Sequence, residues 1–101
     1  MSQTATWSGH TFTVCDKTAN WNDVPGIYIF TTTANGFWKP LYIGQADSLS
    51  SRLPNHERWE EALRLGATRV HALVVNTPAD RDAIEQGLIK AFQPPLNDHH
   101  R

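Results

Sequence analysis

The sequence predicts an α/β domain of the α+β type, with a three-stranded, mainly antiparallel sheet flanked by helices. Three observations predict it. Residues 26–44 hold two short runs, GIYIF and PLYIG, rich in β-branched and aromatic residues and folded back around Asn35-Gly36. A third apolar run, RVHALVV, spans residues 69–75. Beyond it, apolar residues recur at helical spacing from Ile84 to Phe92.

Taken in order, residues 4–15 (TATWSGHTFTVC) are two strand-like runs separated by Ser8-Gly9. In the second, His10, Phe12 and Val14 alternate with Thr11 and Thr13, as in an extra strand with one buried face at a sheet edge. Residues 1–24 are thus expected as an N-terminal extension, 25–97 as the domain proper and 98–101 as a frayed tail. In the hairpin, a two-residue Asn35-Gly36 turn would put Tyr28 opposite Ile43. A three-residue loop, Ala34-Asn35-Gly36 with a G1 bulge, puts Tyr28 opposite Tyr42. The three-residue loop is the expectation, with Tyr28 and Tyr42 on one face and Ile27, Ile29, Leu41 and Ile43 on the other. Pro40 lacks an amide donor, which places its strand at an edge.

Asp47-Ser48 can cap a short helix that Pro54 interrupts. A second helix is expected from about Asn55 to Leu65, with Glu57, Arg58, Glu60, Glu61 and Arg64 on its solvated face and Gly66 as its stop. Thr77-Pro78 and Asp80 open the last helix, which Pro94-Pro95 end.

Composition narrows the class. The chain has 101 residues, enough for one core, and no apolar run long enough for a membrane span. A single cysteine, Cys15, excludes an internal disulfide. The expected location is cytoplasmic. Formal net charge is −1 with the nine Lys and Arg unclustered, which argues against tight autonomous nucleic-acid binding. Lys39, Arg52 and Lys90 are the candidate phosphate contacts. Trp38, beside Lys39, either packs across the hairpin or stacks on a base.

On a helical wheel, Ile84, Leu88, Ala91, Phe92 and Ile89 span roughly 160°, and Glu85 falls inside that arc. A carboxylate in an apolar stripe needs a partner. Position alone leaves a metal ligand and an Arg81–Glu85 ion pair equally open.

Gly26-Ile27-Tyr28 followed by Tyr42-Ile43-Gly44 resembles the GIY-YIG nuclease superfamily, over residues 25–97. The resemblance implies a divalent-metal-dependent DNA endonuclease or nickase. Tyr28 or Tyr42 would be the general base, Arg52 the transition-state stabiliser, and Glu85 the ligand of one Mg2+ or Mn2+. His56 matches a further functional position, and Gly26, Gly44, Gln45 and Asn97 are supporting residues. The chain departs from the pattern at Gln45, where the excision-repair branch usually has Lys. The alternative is a catalytically weak or inactive nucleic-acid-binding module on the same fold. With few cations available, the expected substrate is branched or distorted DNA, or a homodimer or partner protein assists.

Overall fold

The structure, a computed structural model, describes residues 3–97. The expected frayed tail lies outside the described residues. Five strands form one sheet: β1 (Gln3–Trp7), β2 (His10–Asp16), β3 (Gly26–Ala34), β4 (Phe37–Ala46) and β5 (Arg69–Val74). Their order is β1-β2-β5-β3-β4, and every pairing is antiparallel. The sheet therefore has five strands rather than the expected three. The two added strands come from the N-terminal extension: Ser8 and Gly9, at φ 51 and 85, turn β1 back on β2, and β2 pairs with β5. β3 lies between β5 and β4, and β4 is an edge strand, as expected from Pro40, where the proline costs no ladder bond to a second neighbour.

The hairpin turn differs from expectation. Ala34 pairs with Phe37, so the loop is the two-residue Asn35-Gly36, with φ of 55 and 82. Both positive values are those of a type I′ turn, whose twist suits the flanking strands. The phenols nevertheless share a face, because the register shifts between Phe30 and Thr31. Thr31 pairs with Pro40 but Phe30 with Tyr42, leaving Leu41 as a β-bulge. One extra residue restores the side-chain alternation that the shorter turn would have inverted. Tyr28 then pairs with Gly44, so the two tyrosines are diagonal rather than directly opposed. Leu41 moves from the expected isoleucine face to the Tyr28 layer.

Helices cover both faces. On one, α1 (Leu49–Arg52) and α2 (Trp59–Arg64) enclose Tyr28, Phe30, Leu41, Leu49, Leu53 and Ala62. Ser48 caps α1 by accepting from the Ser51 amide. Pro54 ends it in a 3-10 turn over Leu53–Asn55, so α2 begins at Trp59, later than expected. On the other face α3 (Pro78–Phe92) sets Leu88 on Ile27, Ile29 and Ile43. Each fully buried aliphatic side chain here contributes about 1.5–3 kcal/mol. Gln93, in the left-handed conformation, closes α3 before the proline pair. None of the helices described is long and apolar enough to cross a membrane.

The N-terminal hairpin is fastened through His71. The Trp7 indole Nε1–H donates to His71 Nδ1 at 2.9 Å, and the imidazole lies in T-shaped contact with Trp38, centroids 4.7 Å apart. Trp38 is thus a packing residue, one of the two expected readings. An imidazole whose Nδ1 accepts is neutral, with its proton on Nε2. Burial lowers the His71 pKa from 6.5 to about 4, and burial, then Arg52, lowers that of His56 to about 4. The unfolded chain therefore binds more protons than the folded chain between pH 6.5 and 4. Stability is fully present above this window and is lost as pH falls through it. Thermal unfolding midpoints measured from pH 7 to pH 4 are expected to fall, and His71→Leu to make the decline shallower.

Candidate active site

The Tyr28 ring is placed by a missing side chain. A Cβ at Gly44 would come 2.5 Å from Tyr28 Oη and 2.6 Å from Cζ, so the phenol lies where only glycine leaves room. A Cβ at Gly26 would come 2.5 Å from the Leu73 carbonyl oxygen, which ties that glycine to the close approach of β5. The glycines of the two tripeptides are thus packing requirements of one hairpin. Asn97, buried after the proline pair, closes the outer edge of β4. Its Oδ1 accepts from Ile43 N–H and its Nδ2 donates to Ile43 C=O, both at 2.8 Å. This fixes the residue between Tyr42 and Gly44, as a neighbouring strand would.

Around Tyr28 the aromatic groups converge. Its ring centroid is 6.4 Å from that of Tyr42 and 5.3 Å from His56. Tyr28 Oη and His56 Nε2 are 2.7 Å apart, and His56 Nδ1 accepts from the Arg58 backbone N–H at 3.0 Å. That amide sets the tautomer: the neutral imidazole carries its proton on Nε2 and donates to the phenol oxygen. Pro54 does not prevent this, because the 3-10 turn brings His56 back over the sheet. Burial, then Tyr42, raises the Tyr28 pKa well above the ordinary phenol range, while Arg52 opposes the rise. Tyr42 is raised by burial and then by Glu85.

Arg52, at the end of α1, donates from both terminal nitrogens to the Glu57 carboxylate, at 2.6 and 2.8 Å. Side-chain hydrogen bonding to Arg52 lowers the Glu57 pKa to about 2. Glu57 is solvent-exposed as expected, but it precedes α2 and orients the arginine. A cleft of about 380 Å³ runs beside Arg52, lined by Gln45, Ala46, Asp47, Ser48 and Ser51.

Glu85 is half-buried on α3, and its pKa is raised by burial. The Arg81–Glu85 pair weighed from the sequence does not form. Arg81, buried, donates to Asp47 Oδ1 at 2.8 Å and to the Val75 and Asn76 carbonyls. The Glu85 carboxylate instead accepts from Gln45 Nε2 at 2.7 Å, and the same nitrogen donates to Asp82 Oδ1 at 2.5 Å. Among the described residues, neither carboxylate forms a salt bridge. Two carboxylates sharing one neutral amide suit a hard cation. The described residues contain no group of three His, Cys, Asp or Glu arranged for a metal, so an ion at Glu85 would keep much of its water shell, as Mg2+ does. Lys39 and Lys90 are exposed on β4 and α3, outside these hydrogen-bonded groups. Sequence reasoning passed over Asp82, although its i, i+3 spacing to Glu85 puts both on one helix face.

The chain matches known proteins over this same region. It is 34% identical over 77 residues to the UvrABC system protein C of Thermotoga maritima, which covers 72% of the chain and 13% of that protein. The corresponding protein of Thermotoga sp. strain RQ2 is 32% identical over 80 residues. The chain thus spans 13–14% of the length of the curated relatives it matches. Among solved structures, it resembles the GIY-YIG N-terminal endonuclease domain of UvrC from Thermotoga maritima, bound to magnesium as its catalytic divalent cation. The TM-score is 0.61 at 33% identity, covering 76% of this chain and 86% of that one. A Tyr→Phe variant of that domain, also bound to the cation, gives 0.61 at 32% identity. No family model matches the chain. The chain belongs to the GIY-YIG endonuclease superfamily.

If Gly44 is required for ring placement, Gly44→Ala should displace Tyr28 from His56 while the sheet still forms. Tyrosine fluorescence and a proton spectrum of the His56 ring would report the displacement, with far-UV dichroism unchanged.

Proposed function

We propose that this chain is a divalent-cation-dependent DNA endonuclease or nickase in which Tyr28 is the general base and Glu85 holds one Mg2+ or Mn2+. The observation that carries the reading is the fixed hydrogen bond from His56 Nε2–H to Tyr28 Oη. A donor held on the phenol oxygen favours the tyrosinate over the phenol. The positive charge of Arg52 acts in the same direction. Burial works against both, so Tyr28 is protonated at neutral pH and is a base only in its minor, ionised form. As tyrosinate it takes a proton from the attacking water, and Tyr42, diagonal to it, lines the same pocket.

Arg52 is oriented by Glu57 through its two terminal nitrogens, and each of these keeps a second N–H for a phosphate oxygen. It stabilises the charge that develops on the pentacovalent phosphorus. When bound at Glu85, the cation supplies Lewis-acid stabilisation of a phosphate oxygen and of the leaving group. His56 acts through Tyr28 and is a positioning residue. Asn97 holds the β4 backbone beneath the tyrosines. Lys39 and Lys90 are left for contacts to flanking phosphates. With so few cations, binding to plain duplex is weak, and a branched or distorted substrate, a second copy or a partner protein assists.

A catalytically weak nucleic-acid-binding module is the second reading, favoured by Gln45, which places an amide where the resemblance expects a lysine. A supercoiled-plasmid nicking assay separates the two. Nicking with Mg2+ or Mn2+, suppressed by EDTA and abolished in Glu85→Gln with its fold retained, is the expected result. DNA binding without nicking under any of these conditions would favour the module.

The pH profile tests the base. The nicking rate of the wild type should rise about tenfold per pH unit from neutrality into the alkaline range, as expected for an ionising base of high pKa. Removing the donor with His56→Phe should move the profile to higher pH, whereas Tyr28→Phe should lower the rate throughout.

A further inference from the structure

We propose that Phe37, beside the β3–β4 turn, is a stacking platform for an unpaired base of the DNA substrate, with Lys39 on a phosphate between that base and the scissile bond. The inference rests on the reading of the chain as a DNA nuclease and names the residue that would select branched or distorted DNA.

Three observations carry it. Phe37 is 76% exposed, more than any other large hydrophobic residue among those described, and its ring is left out of both core layers. The register then places it. Phe30, Thr32 and Ala34 alternate onto one face of β3, and their partners in β4 are Tyr42, Lys39 and Phe37. An aromatic ring, a cation and the Tyr42 phenol therefore line one face of the edge strand, while Trp38 turns to the other face and packs on His71. Four residues of β3 separate the Ala34 row from the Phe30 row, about 13 Å at the usual strand rise, and the Lys39 row lies midway. A stacked DNA strand advances about 3.4 Å per nucleotide, so the ring and the phenol stand roughly four nucleotides apart. Finally, Lys39 forms no salt bridge among the described residues, and its row partner Thr32 and that of Phe37, Ala34, carry no charge to repel a phosphate. In plain duplex each base face is covered by its neighbour. A loop, branch or gap leaves a base with a free face for the ring.

DNA binding in EDTA, where no strand is cut, tests this apart from nicking. The probes are a fluorescein-labelled duplex and the same duplex carrying a short unpaired loop, followed by anisotropy. Phe37→Ala should keep the wild-type unfolding temperature, because the ring is exposed. The wild type is expected to bind the looped DNA more tightly than the duplex, and Phe37→Ala to weaken binding of the looped DNA roughly 5- to 100-fold. Phe37→Trp should retain that binding, whereas Phe37→Leu, apolar but without a ring, should not. Wild-type affinity for the looped DNA in Phe37→Ala or in Phe37→Leu would overturn the inference, and plasmid nicking by the same wild-type protein would leave the nuclease reading standing. Equal affinity of the wild type for the two DNAs, or no binding to either, would also overturn it. A Phe37-dependent preference for the loop in a protein that nicks under no condition would support the platform and overturn the nuclease reading alone.

Discussion

The Tyr28 ring lying on Gly44 is the contact on which the site depends. Its phenol oxygen reaches His56 only because Gly44 has no side chain, and Gly44 faces Tyr28 only because Leu41 is an extra residue in β4. Remove that bulge and every residue of β4 between it and Ala46 changes face. Tyr42 would then turn into the isoleucine layer, and Ile43 onto the phenols. The bulge sits on an edge strand beside Pro40, where a broken ladder is least costly.

From that contact the candidate site spreads around the edge of the sheet. Tyr28, Tyr42, His56 and Arg52 belong to the layer covered by α1 and α2, while Glu85 rises from α3 on the opposite face. The two halves meet at β4, whose alternating residues serve both: Tyr42 faces one side and Gln45 reaches Glu85 on the other. Asn97 takes both hydrogen bonds of the Ile43 backbone between them, which holds the shared strand in place. A strand that carries groups on both faces and is hydrogen-bonded on both edges can relate them rigidly without a loop between them.

Polar side chains in this protein act mostly through neighbours. The Arg58 amide sets the His56 tautomer, and Glu57 sets the Arg52 fork. Arg81, buried among the Val75 and Asn76 carbonyls, turns to Asp47 and leaves Glu85 to Gln45. For the buried His56 and Arg81 this follows a physical requirement, that a group removed from water finds a partner in the protein.

Local chemistry determined much of this protein from the sequence alone. β-Branched and aromatic runs gave three strands, Ser48 and Pro54 bounded α1, Thr77-Pro78 opened α3, and the wheel singled out Glu85 as a carboxylate in need of a partner. The paired tripeptides pointed to the superfamily. Tertiary structure decided the remainder, because it turns on contacts between residues far apart in the chain. The N-terminal hairpin joins the sheet through β5 and the Trp7–His71 bond, across 64 residues. Asn35-Gly36 kept its two-residue turn, and the compensating bulge answered to the packing of Tyr28 on Gly44, which no local propensity encodes. Whether Glu85 pairs with Arg81 was likewise open until β4 and α3 were brought together, with Gln45 on Glu85 and Arg81 on Asp47.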